Sequence, residues 1–160
     1  MSGMTGRYSS GFSLVELMLG ITILGIICAA CLPFYRESYN KTEITVIEKE
    51  IEGIVQYVRN RALLTGTNLT LNPLAGDWSR GMLLFPDNKT HHLSSGDHLL
   101  FQWPWHFNKH IQVKWLGFQS KDFLVFSGNI RRASSNGHFV ILHRRVEVGR
   151  VVVNRIGRVL

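Results

Sequence analysis

Residues 12–35 are almost wholly apolar and carry a single charge, Glu16. A run of roughly 24 residues is about 36 Å long as a helix, enough to cross a bilayer. Beyond it the apolar positions become periodic. Ile44, Ile47, Ile51, Ile54, Val58 and Ala62 recur at steps of three and four, with Glu43, Glu48, Glu50, Glu52 and Arg59 on other faces. That pattern predicts one amphipathic helix continuing from the apolar run. Its stripe is short for a coiled-coil seam and suits packing on the chain's own sheet. Gly66 is placed to end it. After Gly66 the period changes to two. Strands are predicted at 67–71, 81–85, 99–103, 111–118, 123–126, 139–143 and 146–154, with loops at 72–80, 86–97 and 127–137. A long N-terminal helix followed only by strands predicts an α+β fold, the helix laid on antiparallel sheet.

Glu16 needs explaining, because a charge at membrane depth is costly and usually has a partner. A secretory signal peptide has a shorter apolar core with its cleavage site after it. A plain single-span anchor accounts for the apolarity but for neither Glu16 nor the Gly11-Phe12 junction. Cleavage after Gly11 would give Phe12 a free ammonium beside the Glu16 carboxylate. In these residues the sequence resembles a type IV prepilin: Gly11 before the cut, Phe12 after it, and Glu16 fifth in the mature chain.

The resemblance implies a leader over 1–11, a membrane and assembly helix over 12–35, its amphipathic continuation over 36–66, and a β head over 67–160 with a basic C-terminal tail. It implies a single-pass protein of the bacterial inner membrane with a periplasmic head. The expected partners are the prepilin peptidase, the membrane itself and other major or minor pilins or pseudopilins. Orientation comes from the resemblance alone, since Arg7 precedes the run while Arg36 and Lys41 follow it. Methylation is expected at the Phe12 amine, and Glu16 is expected to neutralise a subunit's amine within the filament. Gly25 and Pro33 stand where pilins unwind when subunits pack, although a simple kink also explains them.

Later segments narrow the resemblance. Trp78-Ser79-Arg80-Gly81, Leu84-Phe85-Pro86-Asp87-Asn88, Phe126-Ser127-Gly128, Gly137-His138-Phe139 and Asn154-Arg155-Ile156-Gly157-Arg158-Val159 are similar to the FimT/GspH family of minor pilins and pseudopilins. That family's fold is a helix carrying two packed antiparallel sheets.

Charge then adds a second candidate function. The net charge is +7. Residues 101–160 hold ten Lys/Arg against two acids, while 36–100 hold seven against eight. So lopsided a distribution suits either a solvated basic face or a surface for a polyanion. The clusters are Arg131-Arg132, Arg144-Arg145, and Arg150, Arg155 and Arg158. Arginine forks match phosphate geometry, and Gly157 permits close backbone approach. In FimT-type pilins a C-terminal Gly-Arg-x-Arg motif binds DNA during natural transformation. Here Gly157-Arg158-Val159 fits, but Leu160 stands at the second arginine, so the motif is incomplete. Two functions stay open: a minor pilin that binds double-stranded DNA without sequence preference, and a type II secretion pseudopilin H that binds none.

Other constellations add little. Cys28 and Cys31, the only cysteines, fall in the apolar run and read as small buried hydrophobes. His91, His92, His98, His106 and His110 match no strong zinc spacing, so no metal or other cofactor is expected. Trp103-Pro104-Trp105-His106 reads as core or subunit-contact packing, with base stacking or membrane contact as the alternative. No nucleophile elbow, phosphate loop or usefully spaced carboxylate pair is present, and an enzyme is not expected.

Overall fold

The computed structural model describes residues 13–160 apart from residue 133, with backbone alone for 31–40. Gly11 and Phe12, where cleavage and methylation are expected, lie outside the described residues. The chain divides into two units, Met1–Lys41 and Thr42–Leu160. A single helix, α1 (Leu14–Thr65), contributes to both and is helical through Gly25 and Pro33.

In the first unit the apolar side chains point outward on every side. Leu14, Val15, Leu17, Met18, Leu19, Ile21, Ile23, Leu24, Ile26 and Ile27 are each at least half exposed in the chain by itself. A helix hydrophobic all round is stable only inside lipid or protein. Among the described residues no helix is long and apolar enough to cross a membrane. The run expected over 12–35 reaches past the described side chains at both ends, so these alone do not make up the span.

The second unit, the head, is built on the stripe that the periodicity predicts. Ile47, Ile51, Ile54, Val58 and Ala62 are buried, joined by Val55, and Ile44 packs at the margin. They meet sheet residues of the same chain. The outward faces carry the charged residues, with Lys49 Nζ 2.8 Å from Glu52, alongside exposed Val46 and Leu64. The hydrogen bond and charge of Glu52 raise the Lys49 pKa. At the helix end Thr65 Oγ1 donates to Arg61 O at 2.8 Å, and Gly66 takes φ 66° in the left-handed region.

Among the described residues seven strands follow: β1 (Leu69–Pro73), β2 (Gly81–Pro86), β3 (Phe101–Pro104), β4 (Ile111–Gly117), β5 (Leu124–Phe126), β6 (Gly137–His143) and β7 (Val146–Val153). They form two antiparallel sheets, ordered β3-β2-β1-β5 and β4-β6-β7. All seven lie where the period-two runs predict them, with shifted ends. The first is expected from residue 67 but starts at Leu69, because residues 65–68 are used in leaving the helix: Thr65 and Thr67 hydroxyls meet at 2.7 Å. It also runs on into Asn72 and Pro73, expected as loop, because these pair with Leu83 and Met82.

Both sheets and the helix close on one core. Leu69, Leu71, Met82, Leu84, Leu124 and Phe126 come from the larger sheet, and Val113, Trp115, Phe139, Ile141, Val151 and Val153 from the smaller. The helix end is approached closely at Gly128, where a β-carbon would run into the backbone of Gly66 and Thr67. That contact seats the loop after β5 against the helix end.

Candidate functional site

The first candidate site is the start of α1. Ser13 O accepts from Leu17 N at 3.1 Å, the opening bond of the helix, and Glu16 is the acid of its first turn. An acid there favours the helix by opposing the macrodipole. Ser13 and Glu16 also have the Ser-x-x-Glu spacing of a capping box. Sequence reasoning on the charge alone missed this spacing. Glu16 is exposed, as are the apolar side chains around it.

The second candidate site is the C-terminal turn. The basic tail expected from sequence folds back on itself. Asn154 N donates to Arg158 O at 2.9 Å, and Leu160 N to Val152 O at 3.0 Å. Val159 bridges back to Val153. Asn154 Oδ1 accepts from Ile156 N at 3.1 Å and Arg158 N at 2.9 Å. Gly157 takes φ 71°, and a side chain there would crowd Phe126 and Arg59. The turn is therefore pinned to the core while Arg155 and Arg158 remain exposed.

Two contacts bring further cations to this turn. Ser134 N donates to Arg155 O at 2.8 Å, so the loop after β5, with exposed Arg131 and Arg132, lies against it. Arg59 Nε donates to Ile156 O from the helix. Between the helix and the C-terminal turn lies a cleft of about 300 Å³ lined by Gln56, Arg59, Asn60, Gly157, Arg158 and Val159. Sequence reasoning missed Gln56, Arg59 and Asn60 as site residues. Their i, i+3, i+4 spacing puts them on one helix face, a signal that says nothing of what lies opposite.

The remaining arginines lie elsewhere. Arg150 pairs with Glu147 at 2.7 Å, and its backbone N–H donates to Glu48 at 3.1 Å. Arg144 and Arg145 form the two-residue turn between β6 and β7. Gly137 pairs with Val153 at one end of this hairpin and His143 with Val146 at the other. Six residue steps of strand put the two clusters about 20 Å apart.

His91, His92 and the tryptophans have structural partners. His91 Nδ1 lies 2.7 Å from Asp87 Oδ1, and its ring stacks on Phe123 at 4.6 Å. His92 Nδ1 lies 3.3 Å from Asn72 Nδ2. Among the described residues no three His, Cys, Asp or Glu side chains come together to hold a metal. Trp105 is buried and its Nε1 donates to Glu50 at 2.8 Å. Trp103 packs with Phe101 and Tyr57, at 4.6 and 5.8 Å between ring centres. The Trp103–His106 segment thus lies against α1.

Residues 6–32 match the prokaryotic N-terminal methylation motif. No curated protein matches the chain. Two crystal forms of the type IV minor pilin FimU from Pseudomonas aeruginosa PAO1 have a similar fold. The first matches with a TM-score of 0.58 and 15% identity, over 76% of this chain and 89% of FimU. The second gives 0.51 and 16%, over 72% and 90%. The chain thus carries a prokaryotic N-terminal methylation motif over residues 6–32 and has a fold similar to that of a type IV minor pilin.

Proposed function

We propose that the chain is a structural subunit of a type IV pilus rather than an enzyme, made as an inner-membrane prepilin and matured by removal of residues 1–11. Phe12 would be methylated, and Glu16 would hold a neighbouring subunit's amine in the apolar filament interior. The observation carrying this reading is an all-round apolar helix, matched over 6–32 to the methylation motif, leading into a minor-pilin head. Mass spectrometry of the chain recovered from filaments tests it. The expected N-terminus is N-methylated Phe12; recovery with residues 1–11 attached rejects the reading. Co-purification with secretion pseudopilins instead of pilins moves the subunit to the alternative assembly.

We further propose that the C-terminal turn binds duplex DNA through Arg155 and Arg158, with Arg131, Arg132 and Arg59 beside them. The turn fixes the backbone that carries both arginines, and the cleft along the helix has room for a phosphate. Recognition of this kind rests on counterion release and ignores base sequence. Arg155→Gln with Arg158→Gln is expected to weaken binding of the head to any duplex. It should reduce the slope of log K against log salt by roughly two, one for each lost phosphate contact. Gel shifts over a salt series check it, and no retardation of the unaltered head even at low salt removes the proposal.

A further inference from the structure

The β6–β7 turn breaks a local rule. A two-residue hairpin with positive φ at both central positions favours Asn-Gly. Here those positions are Arg144 at φ 52° and Arg145 at φ 70°, both exposed. Backbone conformations disfavoured for their residue type tend to gather at functional sites. A neighbouring loop adds to the charge: Arg144 N donates to His110 O at 2.9 Å, which brings exposed Lys109 alongside. Among the described residues none of Lys109, Arg144 and Arg145 forms an ion pair. Of the acids on adjoining segments, Glu147 pairs with Arg150, and Glu43 accepts from Asn108 N at 3.3 Å beside Lys109, one acid against three cations. Val146, next in the chain, is 64% exposed, an apolar group beside three free cations.

The place of this tip in the head says what it could meet. The loop before β4 bonds Glu43, one residue after the head begins at Thr42. The apolar run ends at residue 35, a few positions earlier in sequence. The tip therefore belongs to the end of the head that the chain enters, away from the C-terminal turn proposed for DNA. Basic residues just outside a membrane segment are attracted by anionic headgroups within a Debye length of the surface.

We propose that Lys109, Arg144 and Arg145 dock the head on anionic phospholipid while the subunit waits in the membrane. The proposal rests on the membrane reading given above. Both arginines are exposed on the turn, and Val146 adds an apolar contact at the headgroup boundary.

The test uses the full chain in lipid nanodiscs, with Cys28→Ala and Cys31→Ala, a fluorophore at Val146→Cys, and lipids bearing a headgroup quencher. Quenching is expected to be strong in discs containing phosphatidylglycerol, weak in phosphatidylcholine alone, and lost at high salt. Arg144→Asn with Arg145→Gly suits the turn better and removes both charges. It should preserve the fold and lower the ratio of docked to undocked heads by about fivefold per arginine. Lysine at both positions should restore docking. Equal quenching in the two kinds of disc, or no effect of the Asn-Gly variant, overturns the proposal. So does release by soluble glycerol phosphate, which would make the site one for free phosphate, or release by duplex DNA, which would make DNA its partner. A chain that enters no disc overturns the membrane reading instead, a result distinct from insertion without docking.

Discussion

Glu16→Gln is expected to stop incorporation into filaments while leaving removal of residues 1–11 intact. On the proposed reading, maturation creates an ammonium at Phe12 that must enter apolar surroundings with its subunit. Leaving a buried charge without its partner costs about 3–5 kcal/mol, two to four orders of magnitude in the assembly equilibrium. The substitution discriminates because Glu16 also stands at capping-box spacing from Ser13. Glutamine serves at the last position of a Ser-x-x-Glu capping box as glutamate does, so the helix start is kept and only the charge goes. Glu16→Ala removes both and should do no better. The measurement is the share of subunit in sheared filaments beside the N-terminal mass of the cellular pool. A Gln variant that is cleaved and incorporated normally would sink the charge-pairing role and leave capping as the account of Glu16.

Phe139→Ala should be the most damaging single change in the head. Phe139 is fully buried in the central strand of the smaller sheet. Its ring meets Trp78 edge-on at 5.4 Å and Trp115 at 4.7 Å. Truncation removes the ring's burial and leaves a cavity between two large side chains that cannot easily collapse, at a cost of about 3–5 kcal/mol. Small domains have about 5–15 kcal/mol in all, and the residues beyond the apolar run contain no cysteine to cross-link the head. Urea denaturation of the head reads the change directly. Exposed Val146→Ala is the control and should stay within about 0.5 kcal/mol. A loss below about 1 kcal/mol at Phe139 would mean that the two sheets do not depend on this contact.

Much of the fold was legible in sequence because its signals are local. The stripe from Ile47 to Ala62 has the helix period, and its members are the residues buried against the sheets. Alternation in residues 111–117 reappears as alternately buried and exposed side chains along β4. Val55 was missed although it stands four positions after Ile51 and three before Val58, in a row beside Ile54 on the same wide face. Strand ends shifted where a residue had a second use, as at Thr65 and Thr67 beside the helix cap.

The sequence by itself determined the apolar N-terminal helix with its lone acid, the helix-then-strands order and the basic bias of the second half. Each depends on composition or on spacing within a few residues. Only the tertiary structure decided which arginines stand together. Arg59 and Ile156 are 97 positions apart and meet through one hydrogen bond. Arg155 and Ser134 meet through another, while Arg144 and Arg145 are carried to the far end of a hairpin. Charges act through space, and the distances between them are set by backbone contacts between remote segments, which no local pattern of residue types encodes.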